Sequence, residues 1–321
     1  MIENREKQAS FWEDEEDELT SSQQLDEKTV KRSLDELFYN ALCYRSTDSY
    51  GQLMNFVTRF RFYSPYNAML LHVQKPGAQF VAPAYRWRDL YGRYIKAAAQ
   101  PLVILQPMGP VMFVFDVSDT EPGPDARVLP RAVTNPFEGL SGKINSYAYD
   151  VTVENAKRDG IKITFSKEGS QSAGSIRLQK SQSPEKLLFP IGKNKNNEIV
   201  FTQIPVRYQI IVNENLNREA KYATIVHELA HLYCGHLGTP NEKWWPERRR
   251  LIYEIREFEA ESVSYVVCKR LNIHTPTDSY LSSYLKKNNK IPNISPELIL
   301  KVAGLIETMG KGLMKPRKEK E

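Results

Sequence analysis

The chain has 321 residues, 41% hydrophobic and 26% charged, which is enough apolar material for one large domain or two ordinary ones. No apolar run reaches the length that spans a bilayer, and residues 1–6 lack the basic start and apolar core of a secretory signal. Three scattered cysteines, Cys43, Cys234 and Cys268, do not make a disulfide framework, so a cytoplasmic location is expected, and a net charge of +5 does not by itself indicate nucleic acid.

Residues 1–25 are polar and acidic without a sustained period and read as a disordered tail. Apolar residues recurring at three and four predict helices over 27–46 and 48–61. Ser64-Pro65 fits the start of a third, with serine capping and proline in the first turn, running to about Pro76-Gly77. A short helix is expected at 85–91, then two strands at 101–107 and 111–117 joined by a turn at Gly109-Pro110. The stretch 118–143, rich in proline, glycine and aspartate, reads as a linker between a domain over 26–117 and one over 144–310. In the second, a helix is expected at 144–158, strands at 161–165 and 174–178, loop over 179–198, and a strand at 206–213. Asn217 can cap a helix that stops at Gly235 or Gly238. Pro246 can open a long helix to about Leu271, with further helices at 277–287 and 295–309, and 311–321 forms a basic tail.

The chemistry centres on His227-Glu228-Leu229-Ala230-His231. Two histidines four apart on a helix lie one turn apart on one face, where their imidazoles can grip one metal ion, usually zinc. Glu228, next to His227, is placed to act as general base toward a metal-activated water. The surrounding Ile225, Val226, Leu229, Ala230, Leu232 and Tyr233 set the pattern in a core. A hydrolytic zinc site takes three protein ligands and keeps one position open. His236 lies nine residues after His227, on the opposite side of a continuing helix, so a capping or supporting role is expected for it. The carboxylates of Glu257, Glu259 and Glu261 on the next predicted helix are the better source. Their layout resembles that of gluzincins, in which a glutamate on the following helix is the third ligand. Glu257 is the expected ligand, with Glu259 and Glu261 as alternatives, and Glu261 the expected acceptor for an imidazole N–H. The strand at 206–213 could align a substrate peptide by edge pairing.

Residues 224–236 together with 257–268 resemble the ImmA/IrrE metallo-endopeptidase family, over roughly 140–310. The resemblance implies zinc ligation by His227, His231 and Glu257, with Glu228 as base, and a protein substrate of the kind this family includes, the transcriptional repressors of phage, mobile-element and damage responses. Many members end the second motif in Glu-Ala-Asn, whereas this chain has Glu259-Ala260-Glu261, as an ArdC-like branch tends to. The N-terminal part resembles the ArdC N-terminal domain through Tyr66-Asn67, Trp87, Gly92-Arg93-Tyr94-Ile95-Lys96 and Pro101–Pro107. That resemblance implies single-stranded DNA binding. Independently, Arg86, Trp87, Arg88, Arg93 and Lys96 interleave cations with rings, as single-strand binding requires. The alternative is that the rings are core and the basic residues a solvated face.

The expected architecture is therefore α+β: a small helical and β N-terminal domain, then a mostly helical gluzincin-like domain with a small sheet. The expected activity is a zinc endopeptidase with one ion. The alternative is an ArdC-like antirestriction protein that binds single-stranded DNA and whose metal site is structural or vestigial.

Overall fold

The computed structural model describes residues 44, 46–106, 111–129, 142–167, 173–179, 183–274, 281, 283–285, 287–288 and 290–317. The acidic tail, the helix expected at 27–46 up to residue 43, the turn at Gly109-Pro110 and most of the helix expected at 277–287 lie outside them. The fold is α+β. Among the described residues, no helix is long and apolar enough to cross a membrane.

Helix α1 (Thr47–Arg59) starts at Ser46, whose side chain accepts the Ser49 amide, and buries Tyr50, Leu53, Met54 and Val57 at helical spacing. Helix α2 (Pro65–Gln74) is capped by Ser64, with proline in its first turn, as the sequence predicts. β1 (Val81–Ala82) leads into α3 (Ala84–Tyr91), which ends at Gly92 in the left-handed region. β2 (Arg93–Ile95), β3 (Leu102–Ile104), β4 (Met112–Asp116) and β5 (Thr120–Pro122) follow. β4 pairs antiparallel with both β1 and β3. The far edge of β3 is covered by α2, where Asn67 bonds both backbone groups of Leu105 and Gln74 both of Val103. β5 lies inside the stretch read as linker and pairs with β2, so ordered structure continues to Pro122.

Helix α4 (Ser146–Lys157), capped by Asn145, precedes β6 (Ile161–Ser166) and β7 (Gly174–Leu178). Within the stretch expected as loop at 179–198, residues 186–193 instead form a strand. β8 (Lys186–Lys193) and β9 (Ile199–Pro205) form a hairpin with a register shift between Pro190 and Gly192. Proline and glycine inside an apolar run argue against a strand when read linearly. Here the shift accommodates them, and Asn194 Oδ1 ties the turn by accepting the amides of Asn196 and Glu198.

β10 (Tyr208–Asn213) is the centre of a three-stranded sheet, parallel to β6 and antiparallel to β7. Both of its sides are paired, so it cannot offer an edge to a peptide as the sequence suggested. β7 is the edge strand beside it. Helix α5 (Arg218–Tyr233), capped by Asn217, packs on β7, β10 and α6 (Tyr253–Arg270). α6 begins seven residues later than Pro246, because 246–252 is turned back on the end of α5. Gly235 permits this, with φ +82° and no room for a Cβ, which would lie 2.0 Å from the Pro246 carbonyl oxygen. The Arg248 amide then bonds the Gly235 carbonyl at 3.0 Å.

Helix α7 (Pro296–Met309) packs on α6, α2, α4 and α5. Buried Arg270, at the end of α6, donates to the carbonyls of Val57, Phe60, Arg61 and Tyr63 and pairs with Glu307. Asn40–Glu321 thus form one compact unit, spanning both sides of 118–143. The start of the basic tail is docked: Asn155 accepts the Met314 amide, and Arg317 pairs with fully buried Asp159 at 2.7 Å.

Candidate metal centre

Helical spacing on α5 brings His227 and His231 together, with their Nε2 atoms 3.1 Å apart. Glu257, in the second turn of α6, faces them, with Oε2 3.7 Å from His227 Nε2 and Oε1 3.5 Å from His231 Nε2. One ligand atom from each of the three residues lies within 4.8 Å of the others. Donor bonds of about 2.0–2.2 Å in a tetrahedral zinc site put neighbouring donors about 3.3 Å apart, so the triangle fits one such ion. All three side chains are partly exposed, which leaves one side of the site open.

Glu228 is buried beside this triangle. Its carboxyl is pushed up to about 7, first by burial and then by the nearby Glu257 and Glu261 charges, against the opposing pull of His227. It accepts a hydrogen bond from the backbone amide of Ile176 in β7, so the candidate base sits at the sheet edge. Burial lowers His231, and so does the neighbouring His227. Burial also acts downward on His227, but the carboxylates of Glu257, Glu261 and Glu228 outweigh it and hold that imidazole above its ordinary value. Its close contact with His227 keeps Glu257 below the usual carboxylate range despite partial burial.

Residues 156–268, from the last turn of α4 nearly to the end of α6, match the model of an M78 peptidase family described as the IrrE N-terminal-like domain. The match supports a metallopeptidase-type hydrolase as the coarse class. No curated protein matches the chain in sequence. Crystal structures of the antirestriction protein ArdC from plasmid R388 are similar at 14% (metal-free) and 16% (Mn(II)-bound) identity. Each similarity covers 77% of this chain and 82% of that one, with TM-scores of 0.30 and 0.32, too low to carry residue correspondence.

Within the matched region, the other two glutamates of α6 part ways. Glu261 Oε1 lies 3.8 Å from His227 Nδ1, near but beyond hydrogen-bond reach, and its Oε2 is buried without a partner. Glu259 points away from the triangle and is fully buried. It takes Arg248 Nη1 at 2.6 Å and Nη2 at 2.7 Å, the Ser295 amide at 3.1 Å, and contacts His236 Nε2 at 2.9 Å. With its oxygens so occupied it is excluded as a ligand. His236 in turn lies with Nδ1 2.9 Å from His231 Nδ1, so it is committed to supporting that histidine. It is not available as an oxyanion donor. Cys234, His236 and Glu259 also cluster within ligand distance of one another. Arg248 already saturates Glu259, and burial pushes the Cys234 thiol well up, so it stays protonated. This cluster is a hydrogen-bonded core feature. Sequence reasoning missed Arg248 and Ser295, which lie outside any recognisable pattern.

The N-terminal candidates are split by burial. Trp87 is fully buried, packs against Phe80 and Tyr91, and donates its Nε1–H to the Phe115 carbonyl, so it cannot stack on a base. A linear reading of an eight-residue helix does not show which ring faces inward. Arg93 bonds Thr120, Lys96 bonds the Ser118 carbonyl and Arg88 pairs with Asp89. Arg86 lies over the ring of Tyr85, and the exposed rings here are Tyr85 and Tyr94.

Proposed function

We propose that the chain is a zinc-dependent endopeptidase acting on a protein substrate. The observation that carries this reading is the convergence of His227, His231 and Glu257 on one point, with buried Glu228 beside it. A zinc ion held by those three residues would supply Lewis-acid polarisation of the scissile carbonyl and acidify a water. Glu228 takes the proton from the attacking water on a carboxylate oxygen and hands it to the departing amine nitrogen. The substrate backbone lies along the open edge of β7, whose Ile176 amide already meets Glu228. A transcriptional regulator, as the family resemblance suggests, is the first substrate to try.

Glu228→Gln tests the reading. Cleavage is expected to fall by ~10²–10⁴-fold while zinc remains bound, measured by peptide-bond hydrolysis and by metal analysis. Wild-type cleavage by this variant would refute it.

A second reading is favoured by one observation. Tyr85 and Tyr94 expose their rings next to Arg86 and Arg88, which suits stacking and phosphate contact with single-stranded DNA. Affinity that falls with salt and is lost in Tyr85→Ala/Tyr94→Ala is expected. No binding at low salt would dismiss it.

A further inference from the structure

The chain Arg248–Glu259–His236–His231 reaches from the protein core to the metal-binding face of the triangle. Each of its contacts is 2.6–2.9 Å, and its middle members are closed to solvent, with 0% of the Glu259 side chain and 1% of the His236 side chain exposed. We propose that this relay fixes His231 in the tautomer that carries its proton on Nδ1, so that Nε2 presents a lone pair toward His227 and Glu257. His236 is then a positioning residue for the metal site, and Arg248 and Glu259 are its anchor.

The direction of the relay follows from what each group can donate. Arg248 has only donors, and it grips both oxygens of Glu259, which holds that carboxylate ionised and acceptor-only. The Ser295 amide donates to the same carboxylate. The remaining contact of Glu259 is His236 Nε2, which must therefore carry the hydrogen. In a neutral imidazole the other nitrogen is then an acceptor. The group 2.9 Å from that acceptor is His231 Nδ1, which must donate. His231 Nε2 is left with its lone pair, 3.1 Å from His227 Nε2 and 3.5 Å from Glu257. A metal-bound histidine ordinarily donates its second N–H to a carboxylate, carbonyl or water, which fixes its tautomer and orientation. Here an interposed imidazole does this, and the carboxylate is moved one ring deeper into the core. Two local features build the relay. Gly235 lets the 246–248 segment close on the end of α5, and the turn after Tyr233 folds His236 back so that it lies under His231.

The inference rests on His231 being a ligand of the proposed zinc site, but its first test needs no metal. In the full chain, stripped of metal and labelled with nitrogen-15 in histidine, long-range proton–nitrogen spectra report the tautomer of each ring. The expected result is Nδ1–H for His231 and Nε2–H for His236. Nε2–H on His231 would overturn the proposal. The second test is direct zinc binding. His236→Phe, which keeps the ring and removes both nitrogens, should weaken zinc binding by about 10–100-fold. His236→Gln, whose amide can both accept from His231 and donate to Glu259, should restore most of it. Wild-type affinity in His236→Phe would overturn the proposal. If the wild-type chain fails to bind zinc while the spectra show the expected tautomers, the relay stands and the zinc reading fails.

Discussion

The two imidazoles of the site are backed in opposite ways. Behind His231 every polar group is satisfied: His236, Glu259, Arg248 and the Ser295 amide form a closed set with contacts of 3.1 Å or less. Behind and beside His227 the groups are under-satisfied. Glu261 stands 3.8 Å from Nδ1 with one oxygen buried and unpartnered, and Glu228 carries a carboxyl raised by burial and neighbouring charge. A saturated network holds one geometry and resists change, because breaking any link strands a buried partner. An under-satisfied carboxylate has no bonded partner to strand when it moves. The site thus separates a rigid side, which backs one proposed ligand, from an under-satisfied side, which holds the proposed base.

The largest expected effect comes from breaking the rigid side at its anchor. Arg248→Ala leaves the fully buried Glu259 with its Ser295 and His236 contacts but without its two charged donors. Removing one partner of a buried ion pair costs about 3–5 kcal/mol, so chemical unfolding of the metal-free chain should show a loss of that order. Arg249→Ala is the control next door. Arg249 is largely exposed and pairs with Glu247, and its loss should leave stability close to that of the wild type. Equal effects in the two variants would erase the distinction between the network and an ordinary surface pair.

The same contrast shows why some of the site could be read from the sequence and some could not. His227 and His231 meet because four residues make about one helical turn, and Glu257 could be proposed because an acid-rich helix follows. Those relations are local and periodic. Glu259 and Glu261 are only two residues apart, and helical spacing sends them to different faces without saying which face meets which partner. That depends on Arg248, whose path is set by the close approach of Pro246 to Gly235, and on Ser295, which is 36 residues from Glu259. The helix starts at Ser64 and Asn217 were legible for the same local reason: a side chain caps the amide three residues on. The β8–β9 hairpin was hidden by Pro190 and Gly192, and the burial of Trp87 by the shortness of α3. Partners distant in sequence decided each of these.

On the under-satisfied side, the raised Glu228 carboxyl makes a pH-dependent prediction for the metal-stripped protein. Its ordinary value is 4.5 and its folded value about 7. Between these the folded chain holds a proton that the unfolded chain has released, so stability falls as pH rises through this window. The full loss, at about 1.4 kcal/mol per pH unit, is about 3 kcal/mol as an upper figure. Glu228→Gln removes the titration. It should match wild type near pH 4 and be more stable at pH 8, as read by urea midpoints at the two values. Parallel profiles for the two proteins would mean that Glu228 is not held at a cost, and the under-satisfied side would lose its main member.

The smallest effect belongs to Glu261, and it discriminates most finely between the two sides. Glu261→Gln keeps the shape of the side chain and removes its charge. Because Glu261 does not reach His227 Nδ1, the substitution breaks no hydrogen bond to that ring, and stability should change less than in Arg248→Ala. Zinc affinity should fall by less than about tenfold, since the charge that helps hold His227 is lost while no bonded support is removed. His236→Phe, which breaks the chain behind His231, should cost more in the same titration. If Glu261→Gln instead weakens zinc as much as His236→Phe does, Glu261 must swing the short remaining distance onto His227 when metal binds. The two sides would then be equally bonded in the loaded site, and the asymmetry would belong to the metal-free protein alone.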